Sequence, residues 1–224
     1  MSNFKFMEID QLLKELDKYS FKQLHLHHTW KPSHKNFNGQ NHIKLQEGMK
    51  EYHLSLGWKD IGQHLTLFPD GKWLTGRPFH MTPASIRGWN TGALAVEMVG
   101  NFDLPGTGVY NELGYDRLKG RQREEILKLI KYFIDKYGED TIVFHRDHPT
   151  AGKTCPGTSL DKRELIEEAK KLDKNHWGEK YYYNLAKKGI LLDEKRYDDF
   201  MTRAEAMALV DKIMDRVMEL IKEK

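Results

Sequence analysis

The sequence has a single cysteine and no long apolar run. Because Cys155 is alone among 224 residues, an intramolecular disulfide is excluded. No segment has the roughly 20 consecutive apolar residues that a membrane-spanning helix needs. Residues 1–19 alternate apolar with charged side chains, unlike a signal peptide. We therefore expect a protein that is made in the cytoplasm without a signal peptide and that has no membrane partner.

The sequence also has little net charge. The 36 Lys and Arg residues nearly balance the 33 Asp and Glu residues, which leaves a formal net charge of +3. Nucleic-acid-binding domains usually carry a much stronger positive charge, so we expect no nucleic-acid partner. Hydrophobic residues make up 39% and charged residues 31% of the chain, which is typical of a globular protein with a buried core.

Helical and strand patterns alternate along the first 172 residues. Apolar residues recur at helical spacing in four segments, residues 7–18, 41–56, 116–137 and 161–172. Short β-rich runs lie between them at residues 24–27, 64–68, 72–75, 93–99 and 141–144, and the turn Pro69-Asp70-Gly71 joins two of these. This interleaving predicts an α/β fold with one mixed central β-sheet flanked by helices.

The composition changes near residue 173, where a lysine-rich segment follows the last helix of the α/β region. We therefore predict two domains, a larger domain at residues 1–172 and a small helical module at residues 173–224. Thr202 and Glu205 have the spacing of a capping box, in which each side chain bonds the backbone at the start of a helix. The helix that follows has one apolar face, formed by Val210, Ile213, Val217 and Ile221.

Cys155 lies in a segment that also contains histidines and a lysine, residues 144–157. Thiolate and neutral imidazole are ligands that Zn²⁺ prefers, and a catalytic zinc site has three protein ligands and one open position. Two groups of histidines could complete such a site: His145 and His148 in the same segment, and His25, His27 and His28 around the first predicted strand. Spacing does not choose within either group, and the alternative is a buried free cysteine without a metal.

Glu97 interrupts the apolar run at residues 93–99. A carboxylate is costly to bury without a partner, so two interpretations stay open. In one, Glu97 lies at an exposed position on an edge strand of the sheet. In the other, it is a general base whose pKa is set by its surroundings and which accepts a proton from an attacking water.

A set of short motifs follows one order along the chain. These motifs are Leu26-His27-His28-Thr29, the segment 57–64, Pro69-Asp70-Gly71, Gly76-Arg77, Gly88-Trp89-Asn90, the segment 97–102, His145-Arg146-Asp147 and the segment 153–157. In this order they resemble the zinc-dependent N-acetylmuramoyl-L-alanine amidases of the amidase-2 family, which is related to bacteriophage lysozyme-type amidases and to peptidoglycan recognition proteins. The resemblance covers about residues 22–170, and its specificity comes from the order of the motifs.

The resemblance implies a metal site and a reaction. His27, His145 and Cys155 would bind one Zn²⁺ per chain, Glu97 would be the general base, and Lys153 would be a second catalytic residue. The implied reaction is hydrolysis of the amide bond between N-acetylmuramic acid and L-alanine in bacterial peptidoglycan, with lysis of the cell wall by a phage or prophage endolysin. The alternatives are a non-catalytic peptidoglycan-binding protein and a cytoplasmic amidase that acts on soluble muropeptides.

Three further motif residues would line the substrate groove: Gln63, Trp89 and Asn90. The sequence departs from one branch of the family at the first of these positions, because that branch has a tyrosine that assists catalysis there. A glutamine side chain is neither an acid nor a base at neutral pH, so Glu97 would have to act without this assistance.

The small module contains His176-Trp177, the segment 181–185, Lys188-Gly189-Ile190 and the segment 202–206. Together these residues resemble a single S-layer-homology repeat. The resemblance implies binding of a bacterial cell-wall polysaccharide. Such repeats usually act in threes, and the alternative is a two-helix extension that packs on the larger domain.

Overall fold

A computed structural model describes residues 4–108, 112–172 and 203–222 of the protein. The α-helices of the described residues are α1 (Ile9–Leu16), α2 (His42–Ser55), α3 (Gly120–Tyr137), α4 (Lys162–Lys171) and α5 (Arg203–Lys222). The β-strands are β1 (Phe6–Met7), β2 (Gln23–His28), β3 (Leu65–Leu67), β4 (Trp73–Thr75), β5 (Ala93–Met98) and β6 (Ile142–Phe144). Every helix and strand predicted within the first 172 residues is present, and the two-residue strand β1 is an addition.

The strands form one mixed sheet in the order β1-β4-β3-β5-β2-β6. Strands β3, β5, β2 and β6 are parallel to one another, whereas the pairs β3–β4 and β4–β1 are antiparallel. This topology confirms the predicted α/β fold with a mixed central sheet. Because β5 lies between β3 and β2, the interpretation of Glu97 as an exposed residue on an edge strand is wrong.

The two faces of the sheet differ in polarity because side chains alternate along each strand. Leu26 of β2 lies on the face that carries the main apolar core, together with buried side chains of α1, α3 and α4. His25 and His27 lie on the opposite face. Glu97 shares that face, because it is in register with His27 across the parallel pair β2–β5. Polar side chains of neighbouring strands therefore meet on one face, near the C-terminal ends of the strands.

Buried polar contacts hold these strand ends in place. Gln122 of α3 is buried, and its Nε2 donates hydrogen bonds to the backbone oxygens of Leu67 at 3.1 Å and Val99 at 2.9 Å. The next residue, Arg123, donates to both carboxylate oxygens of Glu168 in α4. Helix α3 therefore joins the ends of β3 and β5 to α4, which follows the loop that carries Cys155.

The chain divides into two compact units, Met1–Asp173 and Lys174–Lys224. The described element of the second unit is α5, where Val210, Ile213, Val217 and Ile221 are exposed. Thr202 and residues 176–190 lie outside the described residues, so the capping box and the S-layer-homology resemblance stay predictions. Among the described residues, no helix is both long enough and apolar enough to cross a membrane.

Candidate metal centre

Three potential metal ligands converge at the C-terminal ends of β2 and β6. His27 is the penultimate residue of β2, His145 directly follows β6, and Cys155 lies in the loop between β6 and α4. The ligand atoms of these side chains all lie within 4.8 Å of one another. Cys155 Sγ is 3.4 Å from His27 Nδ1. The structure thus brings together the two histidines and the cysteine that the resemblance implied.

Two of the competing histidines make different contacts. His28 lies on the opposite face of β2 from His27, and its Nδ1 accepts a hydrogen bond from the backbone N–H of Phe102 at 3.1 Å. His148 lies against the ring of Trp89, with 4.7 Å between the ring centroids. Because side chains alternate along β2, the adjacent residues His27 and His28 lie on opposite faces of the sheet. Spacing along the sequence could not make this distinction.

The residue after the second ligand ties the Cys155 loop to β6. The backbone N–H of Arg146 donates to the backbone oxygen of Cys155 at 2.9 Å. Its guanidinium group donates to the backbone oxygens of Thr154 at 3.3 Å, Gly157 at 2.6 Å and Leu160. A planar guanidinium presents five donors in a fixed arrangement, so one side chain can hold several carbonyl groups of a loop. Arg146 therefore sets the position of Cys155 relative to His145.

A buried carboxylate holds the same loop from the other side. Asp103 is buried and accepts hydrogen bonds at 3.0 Å from the hydroxyl of Thr154 and from the backbone N–H of Thr158. The loop also passes very close to the segment after β5 at Gly157, where an added Cβ would lie 2.4 Å from the backbone carbonyl of Phe102. A glycine is needed at this contact, since any side chain would force the two backbones apart.

Burial controls the protonation of the three ligand side chains. It raises the pKa of the Cys155 thiol well above its usual value, and the neighbouring Glu97 carboxylate raises this pKa further. Burial lowers the pKa of His27 well below its usual value and also lowers that of His145, where the charge of Lys153 adds to the effect. Both imidazoles are therefore neutral at pH 7. A divalent cation would favour the thiolate form of Cys155, because it would supply the missing positive charge.

This donor set fits zinc. Neutral imidazole nitrogens and a thiolate sulfur are preferred zinc ligands, at distances of about 2.0–2.3 Å. Ligand atoms around a tetrahedral ion at these distances are about 3.3–3.8 Å apart. Cys155 Sγ and His27 Nδ1, 3.4 Å apart, lie in this range, and all three ligand atoms lie within 4.8 Å of one another. A tetrahedral zinc held by these three residues would have one coordination position left for chemistry.

Glu97 lies beside the ligand set. It is in register with His27 on one side and with Thr66 on the other. Its Oε2 atom is buried and has no hydrogen-bond partner among the described residues. Burial raises the pKa of this carboxyl group to about 8. Without a metal this carboxyl group is therefore largely protonated at pH 7. A divalent cation bound nearby would lower its pKa and favour the carboxylate, which is the form that a general base needs.

Residues 17–158, which contain the three potential ligands and Glu97, match the sequence model of the N-acetylmuramoyl-L-alanine amidase family. The chain belongs to this family. The matched region of the amidase contains the elements from β2 to β6.

The relatives of the amidase include phage endolysins. This chain is 26% identical to the endolysin of Escherichia phage T7 over 122 residues, which cover 53% of this chain and 76% of that protein. It is also 31% identical to the N-acetylmuramoyl-L-alanine amidase of Mus musculus over 91 residues, which cover 39% of this chain and 17% of that protein.

A solved structure shares the fold of the amidase. N-acetylmuramoyl-L-alanine amidase LysC from Clostridium intestinale superposes with a TM-score of 0.52 at 23% sequence identity. The match covers 68% of this chain and 87% of that chain. At this identity the likeness concerns the fold, and it agrees with the mixed sheet described above.

Two predicted site residues of the amidase lie on accessible parts of the surface. Lys153 is exposed, two residues before Cys155, and its charge acts on both Cys155 and His145. Trp89 is half-buried and packs on His148. Both side chains are therefore near the metal ligands or the loop that carries them.

The other two predicted groove residues make internal hydrogen bonds. Gln63 is 2% exposed, and its Nε2 donates to the hydroxyl of Thr66 at 3.0 Å. Asn90 accepts hydrogen bonds on Oδ1 from the backbone N–H groups of Ser85 at 3.0 Å and Ile86 at 2.8 Å. Gln63 thus supports the strand next to Glu97 from within the protein, and Asn90 shapes the loop that carries Ser85.

Sequence reasoning missed three residues that support the site: Asp103, Arg146 and Ser85. A signal existed for Arg146, which lies inside a family motif, and for Asp103, which directly follows one. Ser85 lies in a loop without a periodic pattern, so its closeness to β2 follows from the tertiary structure alone.

Proposed function

We propose that this protein is a zinc-dependent amidase that hydrolyses the bond between N-acetylmuramic acid and L-alanine in peptidoglycan. Family membership supports an amidase activity. The single observation that carries the zinc-dependent reaction is the closeness of His27, His145 and Cys155, whose ligand atoms all lie within 4.8 Å of one another. Their neutral imidazoles and thiol are the donor types that a catalytic zinc takes.

Zinc held by these three residues would polarise the scissile carbonyl and make water more acidic. Glu97 would accept the proton of the attacking water and deliver it to the leaving nitrogen. Its position favours this role, since it lies next to His27 in the sheet and has a buried carboxylate oxygen that no described residue hydrogen-bonds. The ammonium group of Lys153 would stabilise the developing oxyanion, a contribution of about 3 kcal/mol in comparable sites.

The biological setting that we propose is lysis of a bacterial cell wall. The endolysins of Escherichia phage T7 and Klebsiella phage KP32 are relatives of this chain, each with 76% of its length matched. By analogy, the protein would be a phage or prophage endolysin that is made in the host cytoplasm and acts at the wall after release. The module at residues 173–224 would add affinity for a cell-wall polysaccharide.

Two substitutions test the reaction. Cys155→Ser should lose both zinc and activity, because a hydroxyl is a poor zinc ligand. Glu97→Gln should keep its zinc and lose activity about 100-fold or more, as expected when a general base is removed. The control is Glu51→Gln on the exposed surface of α2. Metal analysis and the loss of turbidity of purified sacculi would measure both effects, and mass spectrometry would identify the released stem peptides.

Each alternative predicts a different result in these assays. A protein that binds sacculi without releasing peptides would be a non-catalytic peptidoglycan-binding protein. A protein that cleaves soluble muropeptides but leaves sacculi intact would be a cytoplasmic amidase of fragments. Full activity in a chelated, zinc-free sample would contradict the proposed role of the metal.

A further inference from the structure

A chain of hydrogen bonds connects three side chains to the metal ligand His27. Gln23 Oε1 lies 2.9 Å from Nε2 of His25. The other nitrogen of that ring, Nδ1, lies 3.0 Å from Ser85 Oγ. Ser85 Oγ in turn lies 2.6 Å from Nε2 of His27. His25 is fully buried, so these neighbours are the groups that satisfy its ring.

Gln23, at one end of this series, determines the direction of every hydrogen bond in it. An amide oxygen only accepts hydrogen bonds, so His25 must carry its proton on Nε2 and donate to Gln23. A neutral imidazole has one N–H group, so His25 Nδ1 is an acceptor. The hydroxyl of Ser85 must then donate to His25, and its oxygen accepts from Nε2–H of His27.

His27, at the other end of the series, is therefore held in one tautomer. His27 carries its proton on Nε2, and its Nδ1 has a free lone pair. Cys155 agrees with this assignment, because its thiol lies 3.4 Å from Nδ1 and can donate to that nitrogen. The same Nδ1 atom therefore faces Cys155, another member of the ligand set.

We propose that Ser85 is a positioning residue that selects Nδ1 of His27 as the metal-binding nitrogen. His25 and Gln23 orient the Ser85 hydroxyl for this task. The inference deepens the proposed function and rests on it, since it concerns the metal site of that reaction. Partners of metal-binding histidines in other proteins fix ring orientation and tautomer, and their loss costs about 10- to 100-fold in metal affinity.

The loop around Ser85 is built to hold the hydroxyl in place. The backbone N–H groups of Ser85 and Ile86 both donate to Oδ1 of Asn90. The side chain of Ile86 is buried, which anchors the loop in the protein interior. Asn90, expected from the sequence to line the groove, thereby acts on the metal site through the position of Ser85.

The test compares Ser85→Ala, which removes the hydroxyl, with Ser85→Thr, which keeps it. The matched control is Ser55→Ala, at an exposed serine that ends α2. The zinc dissociation constant of each full-length protein would be measured by competition with a chromophoric chelator. Nitrogen-15 NMR of the imidazole rings in the metal-free proteins would report the tautomer of His27.

We expect zinc affinity to fall about 10- to 100-fold in Ser85→Ala. Ser85→Thr and Ser55→Ala should stay within about threefold of the wild type, which separates loss of the hydroxyl from a general disturbance of the loop. The wild-type ring of His27 should be the Nε2–H tautomer, and Ser85→Ala should show a mixture of both. An unchanged zinc affinity in Ser85→Ala, or a wild-type His27 protonated on Nδ1, would overturn the inference.

Neither readout depends on catalysis. A wild type that binds zinc but leaves peptidoglycan uncleaved would therefore refute the proposed function, while the affinity ratio and the tautomer would still decide the role of Ser85. A wild type without affinity for zinc would refute both proposals at once.

Discussion

Glu97 and His27 lie side by side on neighbouring parallel strands, in register across β5 and β2. Parallel strands are about 4.8 Å apart, so the carboxyl group and the imidazole occupy adjacent positions on one face of the sheet. The Oε2 atom of Glu97 is buried and has no hydrogen-bond partner in the described part of the chain, a costly arrangement in a folded protein. Positions that are kept at a cost in stability are typical of functional sites.

The first prediction is that Glu97→Gln stabilises the metal-free protein at high pH. The pKa of Glu97 is about 8 in the folded protein and near 4.3 in an unfolded chain. The folded state therefore retains a proton that the unfolded state loses, and the free energy of unfolding falls as pH rises from about 4 to 8. Urea unfolding in the presence of a chelator would measure this at pH 6 and pH 9. The free energy of unfolding of the variant should exceed that of the wild type by more at pH 9 than at pH 6. An equal gain at both pH values would contradict the burial of this carboxyl group.

The second prediction concerns the exposed lysine before Cys155. Lys153→Met should lower kcat about 100-fold, the size expected for loss of one oxyanion-stabilising group. Zinc content and the free energy of unfolding should stay close to those of the wild type, since the side chain is exposed. Lys44→Met on the exposed surface of α2 is the matched control. A normal kcat in Lys153→Met, measured on purified sacculi, would remove Lys153 from the catalytic residues.

The third prediction concerns the close backbone contact in the loop of Cys155. Gly157→Ala should lose about 2 kcal/mol or more of stability, because its Cβ would lie 2.4 Å from the backbone carbonyl of Phe102 and its φ is +121°. The displaced loop should also bind zinc more weakly. Gly48→Ala is the control, because Gly48 lies inside α2 with open space around it. Urea unfolding and chelator competition would measure both effects, and a Gly157→Ala protein with wild-type zinc affinity would contradict the account of the loop.

The fourth prediction is a loss of stability in acid that depends on His64. This ring is buried, donates from Nε2 to the backbone oxygen of Met81 at 2.8 Å and accepts on Nδ1 from the backbone N–H of Ala95 at 3.1 Å. Burial lowers the pKa of His64 from 6.5 to about 4. The contribution of neutral His64 to the free energy of unfolding is complete above pH 6.5. It is lost as pH falls towards 4, because the unfolded chain takes up the proton first.

The measurement is urea unfolding of chelated protein at pH 7, 6, 5 and 4. Over this range the free energy of unfolding of His64→Gln should fall less than that of the wild type, by about 3 kcal/mol at most. His80→Gln, at an exposed position, should follow the wild-type curve. The same pH dependence in all three proteins would show that other groups cause the acid sensitivity.

The sequence by itself determined the elements and the chemistry of the site. The spacing of apolar residues predicted the four helices of the α/β region, because this spacing reflects which side of a helix is buried. Short β-rich runs and the turn Pro69-Asp70-Gly71 predicted every strand except the two-residue β1. The thiol and imidazole groups indicated zinc by their donor chemistry, and the family motifs pointed to His27, His145 and Cys155. These inferences depend on local pattern and composition.

The tertiary structure decided which residues meet. The order of the strands places β5 inside the sheet, and strand order is set by contacts between segments far apart in the sequence. Gln63 and Asn90 form internal hydrogen bonds, which a polar residue in a loop does not reveal by its type. Ser85 comes to lie beside His27, 58 positions away in the chain, because the fold brings their segments together. The nitrogen of His27 that is free for a metal is therefore a property of the folded chain.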